Sequence, residues 1–215
     1  MRPETVLAFD TSAAHCAAAL LLADGRCLLQ YEDMAKGQAE RLLPMLESLL
    51  TEATVRWRDL TAIAVGTGPG NFTGVRIAVA AARGLALGLG IPAVGVTRLE
   101  ALAYGVPRPL IVVEDARRGE VYVQAFSRHG AEPAALIEAS KIVLPQGFAY
   151  VGSVGSELAS VRDQAPAQSP YALAEAIARI GAERARTPQP RPAPFYLRGA
   201  DAAPPSDPPP VILDA

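Results

Sequence analysis

Apolar positions along the first half of the chain come either in short unbroken runs or at helical spacing. Residues 5–10, TVLAFD, are an apolar run closing on Asp10, the pattern of a buried strand. Two more apolar runs occupy 15–33 around Asp24-Gly25, a hairpin signal whose expected register sets Cys27 opposite Leu22. Over 38–53, Leu42, Leu43, Leu46, Leu49, Leu50 and Ala53 recur at helical spacing. Pro44 either kinks that helix or lies in its first turn. A strand at 60–66 runs into a glycine-bearing loop and a helix to about Leu89. A strand at 92–96 and a short helix at 97–105, capped by Thr97 and ended by Gly105, complete this half. The order strand, strand, strand, helix, strand, helix, strand, helix predicts a mixed sheet covered by helices.

The second half opens with a strand in PLIVVED, a turn at ARRG (116–119) and a strand with alternating Val121, Val123 and Ala125. A further strand fits between Pro133 and Pro145, and another at 148–153. The stretch SPYALAEAIARIGAERAR predicts a helix with Ser169 as N-cap and Pro170 as its first residue. From Pro188 onward the chain carries nine of its 19 prolines, and the last part, PPSDPPPVILDA, reads as a mobile tail. The expected division is 1–105, 106–200 and a tail at 201–215.

Composition narrows the function. Half of the 215 residues are hydrophobic, so a full core can be built, and the net charge is −2. A chain gripping nucleic acid by itself would carry a basic face or stripe; here the arginines are scattered. Cys16 and Cys27 read as a reduced pair, the N-terminus shows no signal pattern, and both facts fit a cytoplasmic protein. Arg76 and Arg83 interrupt the longest apolar stretch, which argues against a membrane span.

The loop at 66–74, GTGPGNFTG, raises the question of a phosphate. Its spacing matches neither GxGxxG nor a Walker loop, since Asn71 breaks the first and no lysine supplies the second. Backbone N–H groups at a helix start can still cradle an anion, but glycines for a tight bend are the plainer explanation. The helix that follows is apolar on both sides. Val75, Ala78, Val79, Ala82, Leu85, Ala86 and Leu89 form one face, and the other holds Ile77, Ala80, Ala81, Gly84, Leu87 and Gly88 beside Arg76 and Arg83. A surface helix is normally polar on its back. A second protein covering that back is the reading favoured over a helix sandwiched within its own fold.

Five stretches now converge in order: LAFDTS, AERLLPML, GTGPGNFTGVRIAVAAARGLA, DARRGEVY and PFYLR. Together, over residues 5 to about 200, they resemble the TsaB (YeaZ) family of tRNA threonylcarbamoyladenosine biosynthesis. The resemblance implies an α/β, actin-like ATPase (ribonuclease H-like) fold: two lobes of mixed sheets flanked by helices, the second reduced. It implies a scaffold without catalysis of its own, which binds and activates TsaD in transferring threonylcarbamoyl from threonylcarbamoyl-AMP to N6 of the adenosine next to the anticodon. TsaE joins through the TsaB–TsaD pair, tRNA is met only within the complex, and a homodimer forms when TsaD is absent. ATP or ADP with Mg is expected only within that complex, and no cofactor in isolation. TsaD-like proteins carry two metal-binding histidines where this chain has Arg98 and Leu102, so no metal is expected there. Two positions depart from the family pattern: Gln38 replaces a histidine, and Ser153 stands where an acidic residue is expected.

The partner interface is assigned to Leu42, Leu46, Leu49, Arg76, Ala80, Arg83, Gly84 and Leu87. Weak nucleotide-binding candidates are Asp10, Thr11, Ser12, Gly68 and Gly70, with ordinary turn chemistry as the alternative. His15 and His129, the two histidines, read as surface residues without a nucleophile to serve. Asp115, Arg117, Glu120 and Tyr122 surround the second-half hairpin, where an Arg–Glu pair is the common arrangement. Arg128 and Arg198 are candidates for a tRNA-facing surface. The competing functions are a stand-alone actin-like Mg-ATPase or kinase relative and, below it, a peptidase.

Overall fold

The computed structural model describes residues 4–153 and 166–198. The expected mobile tail at 201–215 lies outside them. The first sheet is built from β1 (Val6–Asp10), β2 (His15–Leu21), β3 (Cys27–Asp33), β4 (Ala62–Gly66) and β5 (Ala93–Val96), in the order β3-β2-β1-β4-β5. The hairpin strands pair antiparallel, and β1, β4 and β5 run parallel. Helix α1 (Gln38–Glu52) precedes β4, α2 (Phe72–Leu89) connects β4 to β5, and α3 (Arg98–Ala103) leaves β5. The second sheet holds β6 (Leu110–Asp115), β7 (Glu120–Ser127), β8 (Gly130–Ala131), β9 (Ala135–Glu138) and β10 (Ala149–Val151), ordered β10-β6-β7-β8 with β9 also on β7. Helix α4 (Leu173–Arg184) closes the described chain.

Strand alternation gives the first sheet two different faces. Leu7, Phe9, Leu20, Ile63 and Val65 point to the side covered by α1 and α2. The opposite face is mostly alanine (Ala8, Ala17, Ala19, Ala62, Ala64), and α4 lies on it through Ala174, Ile177 and Ala178. Small residues let this single helix approach closely. A Cβ on Gly181 would stand 2.4 Å from that of Ala64. Helix α4 comes after residue 106 in the chain yet packs on β1, β2, β4 and β5, so sequence order and layer order part here. Helix α3 sits between the sheets, with Ala101 toward the first and Leu99 and Ala103 toward the second.

Three local expectations change. The Asp24-Gly25 hairpin pairs Leu21 with Cys27, one residue off the expected register. Leu22 N–H donates to Arg26 O and Gly25 takes φ +88°, so three residues, not two, make the loop. Both cysteines remain free thiols. Pro44 falls in the second turn of α1, on the solvent side, where water can reach the carbonyl that loses its donor. Ser169 does not cap α4. Its hydroxyl donates to Tyr104 O at 2.9 Å and accepts from Tyr171 N–H at 3.2 Å, which holds a turn, and the helix begins at Leu173.

Candidate functional site

The glycine loop is occupied by the chain itself. Strand β1 ends at Asp10, and its continuation through Ser12 runs directly against residues 66–74. Thr11 Oγ1 donates to Gly74 O at 2.7 Å, and Asn71 N–H donates to Ser12 O at 2.6 Å. An added Cβ would lie 1.9 Å from Asp10 Oδ2 at Gly66, 2.2 Å from Ser12 O at Gly70 and 1.9 Å from Thr11 O at Gly74. Gly66 is needed because the Asp10 side chain lies against it, and Gly70 and Gly74 because one backbone lies on another. Gly68 instead has φ +87° and brings Val75 and the Phe195 carbonyl close. Asn71 then caps α2, its Oδ1 accepting from Gly74 N–H at 2.9 Å.

Asp10, Thr11 and Ser12 are all buried. One oxygen of Asp10, Oδ1, accepts from Ser12 N–H at 3.0 Å and Ser12 Oγ at 2.8 Å, and lies 2.8 Å from His15 Nε2. Burial pushes the Asp10 carboxyl up, but the His15 hydrogen bond, the Arg98 charge and the Ser12 backbone outweigh it and hold it below the usual carboxylate range. His15 is therefore a buried partner of Asp10 and not a surface residue, whereas His129 is exposed. Ser12 and His15 both address the same carboxylate oxygen. The serine hydroxyl is a donor to aspartate, so no nucleophile–base pair exists at this turn.

Around this turn opens a cleft of about 880 Å³ between the two sheets. Its walls include Ser12, Gly70, Phe72, the 114–118 hairpin end, Ser153 and the 195–198 segment. Arg98, the first residue of α3, crosses its floor: Nε donates to Glu114 Oε2 at 2.7 Å, and Glu114 Oε1 accepts from Ser153 N–H at 2.9 Å. Ser153 Oγ also accepts from Asp115 N–H at 3.1 Å. An acidic side chain at 153 would bring a like charge against Glu114, so serine suits this site. Gln38, the other departure, donates to Met34 O at 3.0 Å at the start of α1. At the hairpin tip, Arg117, Arg118 and Gly119 all take left-handed φ, and Asp115 Oδ1 accepts from Arg117 N–H at 2.7 Å. Glu120 pairs with Arg198, not Arg117, at 2.6 Å, and Arg198 also donates to Ala116 O. Arg128 is exposed.

The Asp10 junction presents no open carboxylate to the magnesium of an actin-like nucleotide site. Asp10 and Thr11 are sealed, and backbone oxygens of Thr11 and Ser12 fill the space beside Gly70 and Gly74 that a phosphate would need. Arg98 already brings a cation to the carboxylates of the floor. The nucleotide candidates Asp10, Thr11, Ser12, Gly68 and Gly70 are thus brought together, Asp10 and Thr11 within a buried junction and Ser12 and Gly70 at the wall of the cleft.

The outer face of α2 is open. Val75, Ala78, Ala82 and Ala86 enter the core, while Phe72, Arg76, Ala80, Gly84, Leu87 and Gly88 are exposed, Leu87 at 78%. A Cβ on Gly84 or Gly88 would meet nothing within 4 Å. Arg83 is half-buried, and Arg76 is held by the chain's own tail, its Nε donating to Tyr196 Oη at 2.9 Å and its guanidinium 3.6 Å over the Phe72 ring. The assignment of Leu42, Leu46 and Leu49 to a partner surface is corrected: all three lie in the core against the first sheet. An amphipathic helix has one apolar stripe, and here the fold itself takes it. What α1 offers outward is Leu43 and Glu47, which with Trp57, Gly84, Leu85, Gly88 and Leu89 line a groove of about 360 Å³ along α2.

The sequence pointed to Asp10 and Arg98 but missed their partners His15 and Glu114. His15 stands five residues after Asp10, across a turn, a spacing that could have suggested contact. The Arg98–Glu114 pair depends on how two sheets meet and left no local signal.

Residues 32–180 match the family model described as TsaD, tRNA N6-adenosine threonylcarbamoyltransferase. The chain is similar to the tRNA threonylcarbamoyladenosine biosynthesis protein TsaB of Escherichia coli, 38% identical over 62% of this chain and 62% of that one. The matched stretch thus spans about three-fifths of that relative's length. TsaB of Buchnera aphidicola is 33% identical over 65% of this chain and 71% of that protein. Among solved structures, a Pseudomonas aeruginosa protein described as similar to peptidase YEAZ superposes with TM-score 0.72 at 33% identity, covering 91% of this chain and all of that one. A Clostridium difficile dehydratase activator with bound ADPNP, 8% identical at TM-score 0.53 over 85% of this chain and 96% of its own, shares the fold alone. The two lobes of mixed sheet with flanking helices are those of the actin-like ATPase group. With the matched stretches running through the glycine loop, α2 and the second-sheet hairpin, the chain belongs to the TsaB (YeaZ) family, within the wider group that the TsaD family model describes.

Proposed function

We propose that this chain serves the biosynthesis of threonylcarbamoyladenosine in tRNA as a non-catalytic partner of TsaD. The outer face of α2 and the groove beside α1 form the docking surface, TsaE engages the resulting pair, tRNA is bound only by the assembly, and a second copy of this chain covers the same face when TsaD is absent. The carrying observation is the open apolar strip of Ala80, Gly84, Leu87 and Gly88 next to Leu43, on a helix whose other side is already in the core. Covering such a strip stabilises a complex by about 25 cal/mol per Å² of apolar area, less the cost of association. The names of the relatives support the pathway, and the sealed Asp10 junction supports the absence of a catalytic step. Any ATP or ADP with Mg belongs in this reading to the complex with TsaD and TsaE.

The test combines TsaD, TsaE and threonylcarbamoyl-AMP with tRNA, with and without this chain, and measures modified adenosine. Stimulation by the full chain and loss of both stimulation and TsaD co-purification in Gly84→Arg, with unchanged circular dichroism, is the expected result. Recovery of TsaD with Gly84→Arg at normal yield refutes the surface. The stand-alone ATPase reading requires micromolar Mg-ATP binding by calorimetry and turnover lost in Asp10→Ala.

A further inference from the structure

At and beneath the floor of the cleft lie two buried charged atoms that hydrogen bonding leaves incomplete. Asp10 Oδ2 and Arg98 Nη1 are both shielded from solvent, and neither has a hydrogen-bond partner among the described residues. They are opposite in sign, and each group feels the charge of the other. The rest of the guanidinium is fixed by Glu114 through Nε, and the Arg98 backbone N–H donates to Gly68 O at 2.7 Å. Asp10 ends a strand of the first sheet and Glu114 lies in a strand of the second. Arg98 therefore stands between one buried carboxylate from each lobe.

A buried carboxylate requires a compensating positive charge. The actin-like arrangement would draw that charge from a metal-bound ligand, and the packed junction at Asp10 has no opening for one. Arginine meets the need permanently, because its guanidinium does not lose its proton in a protein and its planar fork can address two acceptors at once. We propose that Arg98 is a resident counter-cation, which takes the electrostatic place of a metal–nucleotide and latches the two sheets together without any ligand. A cation supplied by a ligand can leave and let the lobes part; one attached to the backbone of α3 cannot. Divalent ions meet carboxylates that are already neutralised. The inference concerns this chain alone and does not depend on docking to TsaD.

The experiment uses the full chain and three variants: Arg98→Ala, Arg98→Lys and Glu114→Gln. Mn²⁺ binding is followed by the electron paramagnetic resonance of the free ion, and hydrogen exchange is followed at the Ser153 and Asp115 amides. Arg98→Ala leaves Glu114 without its counter-ion and Asp10 with His15 and Ser12 alone, and is expected to bind Mn²⁺ about tenfold more tightly than the unaltered chain, while Arg98→Lys does not. Glu114→Gln keeps the cation but offers one acceptor where two are in use, so both amides exchange about tenfold faster with helix content intact. Equal Mn²⁺ affinity in the unaltered chain and Arg98→Ala overturns the proposal, as does unchanged exchange in Glu114→Gln. Should Arg98→Ala fail to fold, Glu114→Gln decides by the same exchange criterion.

Discussion

Replacing Gly84 and Gly88 together by alanine separates what α2 does for the fold from what it does for a partner. Gly84 sits in the helix interior and Gly88 in its last turn, both with ordinary helical backbone, and a Cβ at either meets no atom within 4 Å. In such a position alanine is favoured over glycine by about 0.8–1.0 kcal/mol, from the lower backbone entropy of the unfolded chain. With no steric cost to subtract, and a smaller gain at the last turn than in the interior, the double variant gains roughly 1–2 kcal/mol. For a chain of this size each kcal/mol moves the midpoint by about 2–4 °C, so thermal unfolding shifts upward by about 2–8 °C. The assay is thermal and urea unfolding of the variant and the unaltered chain at low protein concentration, where association makes no contribution, followed by sedimentation at high concentration. At low concentration stability rises; at high concentration self-association weakens, since two methyl groups now hold a neighbouring backbone away. A fall in monomer stability would refute the reasoning, because it would mean that the strip is already packed against part of this chain.

The last glycine of the loop at 66–74 behaves oppositely. Gly74→Ala drives a Cβ to within 1.9 Å of Thr11 O, breaking the Thr11–Gly74 and Ser12–Asn71 contacts, and costs about 3 kcal/mol or more in urea unfolding. Asp10 has its carboxyl pKa lowered in the folded state from a reference of 3.8. Its stabilising contribution is therefore present above that reference and lost as pH falls through the lower folded value. Asp10→Asn should flatten the pH dependence of stability below about pH 4, read from urea midpoints. Burial pushes the Cys16 and Cys27 thiols up to about 11, so at pH 8 the buried Cys16 is expected to react with a thiol reagent only when urea unfolds the protein, and the half-buried Cys27 slowly in the folded state.

What the sequence disclosed was what neighbouring residues decide. The meander, the glycine loop leading into α2, and the Thr97 cap of α3 are written in periodicity and capping, and all three stand in the structure. The double-sided greasiness of α2 was also legible, since it needs only one helix to be seen. Partner choice was not. Leu42, Leu46 and Leu49 could face a neighbour or the sheet with equal sequence logic, and the sheet has them. The Cys27 register turned on whether two or three residues close a loop, which Asp24-Gly25 does not fix. His15 with Asp10, and Arg98 with Glu114, belong to contacts between elements whose approach is set by the packing of whole sheets.

Helix α4 has a consequence for how the molecule is made. The alanine face of the first sheet stays bare until residues 173–184 arrive, although every strand of that sheet has been synthesised by Val96. A nascent chain on the ribosome thus carries a half-covered sheet through the whole manufacture of the second one, and a fragment cut near residue 105 would expose that face to aggregation. The two lobes are laced by the thread that returns, so the first is not a free-standing piece when cut at the boundary between them.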